Sequence, residues 1–209
     1  TPFLHHDIWP NRSSYRPKVS WPAWVLAAGA PESLMTYVQV RALAGGTTTI
    51  QGWPSTNRRP ANQLVRNADD QKFGDDPDMM LTSTLTLDRS ELRTKAQRLE
   101  DGKGFIYHCG EGLSTSLVRR EFDDLKATNG LREGLIAIHL TAIGANEFEQ
   151  WATQARNEGD AGPGSVVWSP FSNLWLYGET TAVPDAIAHD VNVCLGTDWG
   201  PSGTKNLLG

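Results

Sequence analysis

The chain has 209 residues, of which 39% are hydrophobic and 21% charged, an ordinary composition for one globular domain with its own core. Its formal net charge is −5 without a basic patch, so neither nucleic acid nor an anionic membrane surface is an expected partner. No apolar run approaches the ~18 residues that a membrane-spanning helix needs. The two cysteines, Cys109 and Cys194, do not imply a structural disulfide, which fits a cytoplasmic protein.

The first segment, residues 1–31, is rich in proline and tryptophan. Proline at this density excludes long regular structure, so we predict an irregular segment with one short helix near residues 21–28. The triplet His5-His6-Asp7 suggests a metal site. Adjacent side chains on an extended segment point to opposite faces, however, and we therefore interpret both histidines as solvated or packed loop residues.

Helix and strand patterns alternate from residue 33 onward, which is typical of a parallel α/β protein. Ser90 and Asn146 are the predicted N-caps of two of the helices. A polar loop or insertion is predicted at 53–78, and a further loop at 170–178. The predicted helices cover 31–44, 90–100, 114–127, 146–157 and 180–189, and the predicted strands cover 47–52, 79–87, 104–108, 134–139, 165–169 and 191–196.

Both a doubly wound sheet and a (β/α)₈ TIM barrel fit this alternation. A dinucleotide-binding sheet carries its Gly-rich loop after the first strand, whereas Gly45-Gly46 precedes that strand here. A barrel also explains why residues at the ends of separate strands would converge. The chain starts at Thr1 and stops eleven residues after Asp198, without room for a closing helix. We therefore expect one domain over 1–209, an incomplete α/β barrel truncated at both ends.

Strand ends carry the residues with the clearest chemistry. His108 and His139 each end an apolar run, Asp198 follows another, and Glu111 lies three residues after His108. The carboxyl ends of parallel strands meet at one end of a barrel, so we expect these side chains to converge. Two imidazoles and a carboxylate suit Zn²⁺, which activates a bound water near neutral pH. A neighbouring carboxylate such as Glu111 can then move the proton.

A set of short motifs resembles the amidohydrolase superfamily, and most of all its aminohydrolase and chlorohydrolase branch, which includes guanine, cytosine and triazine deaminases. The resemblance spans about residues 33–209, in the order of the family. It rests on Gly45-Gly-Thr-Thr-Thr-Ile50, His108-x-x-Glu111, His139 at its strand end, Ser169-Pro-Phe-Ser-Asn-Leu174 and Leu195-Gly-Thr-Asp-Trp-Gly-Pro-Ser-Gly203.

The resemblance implies a metal-bearing TIM barrel that hydrolyses carbon–nitrogen or carbon–chlorine bonds. It makes His108 and Asp198 metal ligands, with Asp198 also part of the catalytic set. Glu111 would be the proton shuttle. His139 would polarise the substrate or position the hydroxide.

The same resemblance implies the ligands of the protein. Asn173 and Trp199 would contact the substrate, a small molecule whose carbon–nitrogen bond is not a peptide bond. The cofactor would be a divalent metal, zinc in the first place and iron as the alternative. A homo-oligomer is compatible with the sequence, whereas nucleic acid and membrane partners are not expected.

Two features depart from the family pattern. The His-x-His pair of the first strand, which supplies two metal ligands, is missing, because His5-His6 lacks the spacing and the apolar strand before it. We expect this pair to lie upstream of Thr1 and the chain without it to be inactive. Trp168 or Ser169 stands where deaminases of this branch often carry a histidine, which disfavours nucleobase or triazine deamination.

Two other functions stay open from the sequence. One is a non-catalytic barrel or binding module that has lost the metal site. The other is a phosphate-binding barrel, suggested by the loop Gly200-Pro-Ser-Gly-Thr-Lys205 after the last strand. Such a loop can cradle an anion, although it lacks the Walker spacing.

Overall fold

The computed structural model describes residues 2–52, 62–68, 80–83, 86–113, 115–199, 203–204 and 207, without side chains at 80–83 and 116. Most of the predicted insertion at 53–78 lies outside the described residues, as do residues 79 and 84–85 of the predicted strand 79–87. The candidate phosphate loop is described only at Gly203 and Thr204.

The described helices and strands follow the predicted alternation. None of the described helices is both long and apolar enough to cross a membrane. The helical segments are a π-helical turn at Arg16–Ser20, α1 (Trp21–Gly29), α2 (Pro31–Ala44), α3 (Arg89–Glu100), α4 (Ser116–Ala127), α5 (Ala145–Asn157), α6 (Pro170–Tyr177) and α7 (Val183–Ala188). The strands are β1 (Thr49–Ile50), β2 (Arg66–Asn67), β3 (Met80–Ser83), β4 (Gly104–Cys109), β5 (Leu135–His139), β6 (Ser165–Trp168) and β7 (Asn192–Leu195).

Strands β3 to β7 form a five-stranded parallel sheet in chain order, and β1 pairs with β2 in a separate parallel ladder. A helix lies between each pair of neighbouring strands of the larger sheet, as parallel crossovers require. This confirms the predicted parallel α/β class. Within the described residues the sheet does not close into a barrel. Because every strand runs the same way, all five carboxyl ends lie along one edge.

The central strands β4 and β5 are buried or half-buried on both faces, which explains why they are apolar almost throughout, whereas β7 at the edge of the sheet is largely exposed. On one face, side chains of β4 and β5 pack under the helices, and each fully buried large side chain contributes roughly 1.5–3 kcal/mol. Buried side chains of this layer include Phe105, Tyr107, Phe122, Leu135, Phe148 and Trp151. On the other face, Ile106 packs with Ala68 next to β2 and with Ile136 and Ile138.

Proline begins helices here more often than it prevents them. The predicted short helix near residues 21–28 is confirmed as α1, but the π-helical turn before it was not predicted. Pro17 and Pro22 stand in the first turns of these two helical segments, where the missing N–H costs nothing. The predicted loop at 170–178 is wrong for the same reason. Pro170 begins α6 there, and Gly178 ends it with φ 73°.

Neither predicted N-cap is correct. Ser90 lies inside α3, because the carboxylate of Asp88 accepts the N–H groups of Ser90 and Glu91 at 2.8 and 2.9 Å. The Glu91 carboxylate in turn accepts the N–H of Asp88 at 3.0 Å, which completes a capping box. Asn146 lies inside α5, whose N-cap is Gly144.

Candidate functional site

The N-terminal segment contacts the turn that follows β4. His5 forms an isolated antiparallel bridge with Gly112, and the N–H of Leu113 donates to the carbonyl of Leu4 at 3.2 Å. The N–H of His6 donates to the carbonyl of Glu111, also at 3.2 Å. These backbone bonds hold both N-terminal histidines at the carboxyl end of the sheet.

Glu111 is the centre of this site. It is 4% exposed. The Tyr177 hydroxyl donates to its Oε1 at 2.6 Å, and Trp9 Nε1–H donates in turn to that hydroxyl at 3.2 Å. The other oxygen, Oε2, lies 3.6 Å from Nδ1 of His6 and 3.6 Å from Nε2 of His139. One buried carboxylate oxygen therefore stands between two imidazole nitrogens.

A second network fixes the ring of His139. Its Nδ1 lies 2.9 Å from Oδ1 of Asn173, while the Asn173 amide donates to the Thr181 hydroxyl at 3.3 Å. That hydroxyl donates to the backbone carbonyl of His139. With the asparagine oriented in this way, Nδ1 of His139 carries a proton and Nε2 is directed at Glu111.

The backbone at His139 is strained. Its φ is 76°, in the left-handed region that a residue with a Cβ seldom adopts. Leu140 and Asp198 have φ values of 48° and 61°. Such conformations cost of order 1–3 kcal/mol each and are concentrated at functional sites. Two of the sequence-predicted site residues thus carry this kind of strain.

His5, His6 and Glu121 form a compact group beside Glu111. Each of these three side chains offers one possible ligand atom, and the three atoms lie within 4.8 Å of one another. The described part of the chain contains this one group of three or more His, Cys, Asp or Glu side chains that is so compact. All three side chains are buried. Oε1 of Glu121 lies 2.8 Å from Nε2 of His6 and 3.5 Å from Nε2 of His5. Two imidazoles and a carboxylate are ligands that zinc accepts.

The charges of this group are coupled. Burial opposes ionisation of Glu121, but hydrogen bonds from His5 and His6, the charge of His6 and the Gly110 N–H lower its pKa to about 2. Burial also opposes the charge of His6, yet its hydrogen bond to Glu121 and the surrounding carboxylates raise its pKa. Burial, together with the charge of Glu111 and the hydrogen bond to it, raises the pKa of Tyr177 far above its ordinary value. The Tyr177 phenol therefore remains a donor.

The structure brings His108 close to His139, with ring centroids 5.5 Å apart. His108 is half-buried, at the end of β4. Asp198 follows β7, is also half-buried, and is near enough to raise the pKa of Tyr177. Within the described residues, His108 and Asp198 do not join a group of three ligand atoms like that of His5, His6 and Glu121.

Asn173 and Trp199 were predicted to contact substrate. Asn173 is fully buried and bonds to His139. Trp199 is 43% exposed and packs with two aromatic residues of the N-terminal segment. Its ring centroid lies 5.8 Å from that of Trp9 and 5.9 Å from that of Tyr15. Whether either residue contacts substrate stays a prediction.

The interpretation of His5 and His6 as loop residues on opposite faces is wrong in its geometry. Their ring centroids are 4.4 Å apart and both are 6% exposed, because the backbone turns after His5 instead of remaining extended. Glu121 was missed altogether. The sequence contains a signal for it, since Glu121 shares the buried face of α4 with Val118, Phe122 and Leu125 at helical spacing.

Comparisons with known proteins give a distant and partial similarity. No protein-family model matches the chain, and no curated protein matches it. Among solved structures, it is similar to the 5-methylcytosine deaminase of Klebsiella pneumoniae liganded with phosphonocytosine, with a TM-score of 0.41 and 16% identity over 62% of this chain and 37% of that one. It is also similar to the aminofutalosine deaminase of Helicobacter pylori in complex with methylthio-coformycin. That TM-score is 0.44, with 12% identity over 88% of this chain and 58% of that one.

Proposed function

We propose that the protein is a metal-dependent hydrolase that cleaves a non-peptide carbon–nitrogen bond of a small molecule with a metal-activated water. The observation that carries the proposal is the buried carboxylate of Glu111, whose Oε2 lies 3.6 Å from a nitrogen of each of two imidazoles, His6 and His139. A buried acid next to two bases is suited to moving a proton. The motifs that resemble the amidohydrolase superfamily independently lead to the same residue.

The fold supports this proposal. Five parallel strands in chain order, with helices between them, are the arrangement of successive strands in a (β/α)₈ barrel. We infer that the domain is an incomplete barrel of this type. Its candidate site lies at the carboxyl ends of the strands, where barrel enzymes carry their active sites.

The residues present fit a divalent metal by their donor chemistry. His6 and His139 both lie near the Glu111 carboxylate, Glu121 contacts His6, and His108 lies beside His139. A bound metal would supply a polarised water as the nucleophile. His108 and Asp198 remain the ligands that the motif resemblance proposes.

Each remaining group has a role that follows from its contacts. Glu111 accepts a proton from the attacking water and delivers it to the departing nitrogen. Tyr177 holds the other carboxylate oxygen by its hydrogen bond, which fixes the direction of the free one. His139 presents Nε2 toward the reacting atoms, because Asn173 binds its Nδ1–H.

The substitution Glu111→Gln tests the proposed function. We expect turnover to fall by ~10²–10⁴-fold, because a positioned acid–base group contributes that much. Zinc should still bind, with an affinity lowered by no more than the ~10–100-fold that loss of an outer carboxylate costs, so zinc content at saturating zinc should stay unchanged. Glu149→Gln, on the exposed face of α5, is the matched control and should leave both quantities unchanged. The assay is ammonia release from a panel of small amides, amidines and amino-substituted heterocycles, with metal content measured on the same samples.

Near-normal turnover of Glu111→Gln would contradict the proposal.

One observation favours the second candidate, a non-catalytic binding module. Glu111 and His139 are 4% and 1% exposed, so a substrate reaches them only after local movement. A wild-type protein that retains no metal and turns over no member of the panel would favour that module.

A further inference from the structure

The group formed by His5, His6 and Glu121 has the geometry of a metal site. Ligand atoms around a tetrahedral zinc lie about 3.3 Å apart, given metal–ligand distances near 2.0–2.1 Å. Here the distances from Oε1 of Glu121 to the two Nε2 atoms are 2.8 and 3.5 Å. The three ligand atoms come from the N-terminal segment and from α4, which are far apart in the sequence.

The opposite edges of the two imidazole rings give an independent argument. Nδ1 of His5 accepts the backbone N–H of Asp7 at 3.1 Å and lies 3.4 Å from Oδ2 of the same residue, and Nδ1 of His6 lies 3.6 Å from Oε2 of Glu111. A histidine that binds metal through Nε2 commonly donates its Nδ1–H to a carboxylate. Nε2 of both histidines faces Glu121, and Nδ1 of His6 faces the Glu111 carboxylate. Nδ1 of His5 accepts a backbone N–H in this structure, so a metal at its Nε2 requires the ring proton to move to Nδ1, where Oδ2 of Asp7 at 3.4 Å can accept it.

Further contacts hold Glu121 in place. The Gly110 N–H donates to Oε2 at 2.8 Å, which leaves Oε1 directed at the histidines. The Thr86 hydroxyl lies 3.1 Å from Oε1 and 3.2 Å from Nε2 of His6. Two imidazole nitrogens and one hydroxyl are arranged around a single carboxylate oxygen. A cation can take the lone pairs of all three side chains instead.

We propose that Nε2 of His5, Nε2 of His6 and the Glu121 carboxylate bind one divalent transition-metal ion, with zinc the best match to the donor set. The site is separate from the His108 and Asp198 positions. It lies at the opposite edge of the His6 ring from Glu111. Its catalytic role rests on the proposed function, but ion binding is measured without substrate and therefore stands or falls separately.

The test measures zinc affinity by competition with a chromophoric chelator, together with the visible spectrum of the cobalt-loaded protein. We expect the wild type to bind one ion at this site. His5→Ala and Glu121→Gln should weaken binding by more than about 100-fold, since even the loss of an outer carboxylate costs ~10–100-fold. His189→Ala, which removes an imidazole before β7 at the other edge of the sheet, is the matched control and should bind zinc as the wild type does.

Asp7→Asn keeps the test decisive if the buried variants fail to fold. The Asp7 side chain is 58% exposed, and its replacement should weaken zinc binding by ~10–100-fold without loss of folding. The site is overturned if wild-type protein binds no zinc, or if His5→Ala and Asp7→Asn bind as tightly as wild type. Zinc that survives these changes but is lost in His108→Ala and Asp198→Asn overturns this site and leaves the proposed function standing. Circular dichroism identifies variants that have lost their fold.

Discussion

At the scale of single residues, position at a strand end is the signal that the sequence offers. It identifies Glu111 and His139, which the structure brings within 3.6 Å of each other. Local patterns contain no information about the partners of these residues. His6 and Glu121 are 115 positions apart, and only the folded chain joins them. Sequence reasoning therefore finds part of the site and misses the group beside it.

Variants of Asn173 distinguish two possible roles of this residue, contact with the substrate and support of His139. Asn173→Ala removes the acceptor for Nδ1 of His139, so we expect kcat to fall by ~10–100-fold with little change in KM. Asn173→Asp should restore most of kcat, because a carboxylate oxygen accepts the same proton. Steady-state kinetics on both variants is the measurement. A change in KM alone would instead support the substrate contact predicted from the sequence. An aspartate variant as slow as the alanine variant would argue against the role of Asn173 as acceptor for Nδ1 of His139.

At the scale of elements, the pattern of alternating helices and strands predicts the order correctly, while the ends of the elements depend on finer contacts. Proline and aspartate occur both in loops and at helix starts. Only the packing of the residues that follow them decides which of the two forms. Side-chain bonds between elements are likewise absent from the pattern. Arg132, just before β5, binds both oxygens of Asp160, after α5, at 2.8 and 2.9 Å. This ion pair joins two successive βα units.

The Arg132–Asp160 pair gives a pH dependence. The hydrogen bond from Arg132 outweighs burial and, with the Glu133 N–H, lowers the pKa of Asp160. A lowered pKa means that the stabilisation is complete above the unfolded-state pKa of about 3.9 and is lost as pH falls below it. At pH 7, Asp160→Asn should reduce the free energy of unfolding by roughly 1–3 kcal/mol. This difference from the wild type should shrink toward pH 3.

Urea unfolding between pH 7 and pH 3 measures that difference. Asp190→Asn is the matched control, because the Arg156–Asp190 pair is exposed on both sides and should contribute less than about 1 kcal/mol. A difference between wild type and Asp160→Asn that stays constant over this pH range would contradict the assignment of the effect to the charge of Asp160.

At the scale of the whole molecule, the parallel sheet follows from the repeated βα pattern, because parallel strands need crossovers and the sequence supplies helices between them. The return of residues 2–9 to the carboxyl end of the sheet does not follow from any local pattern. It depends on backbone pairing with the turn at Gly112 and Leu113. This long-range contact brings His5 and His6 to the carboxyl end of the sheet. Helix and strand propensities predict the sheet but not this contact.

The most direct test of the account is anomalous scattering at the zinc edge from a crystal of the zinc-loaded protein. The central claim is that the carboxyl end of the sheet holds a metal ion. The account predicts one strong peak bounded by Nε2 of His5, Nε2 of His6 and the Glu121 carboxylate, on the far side of the His6 ring from Glu111. The absence of a zinc peak at these three side chains would contradict it.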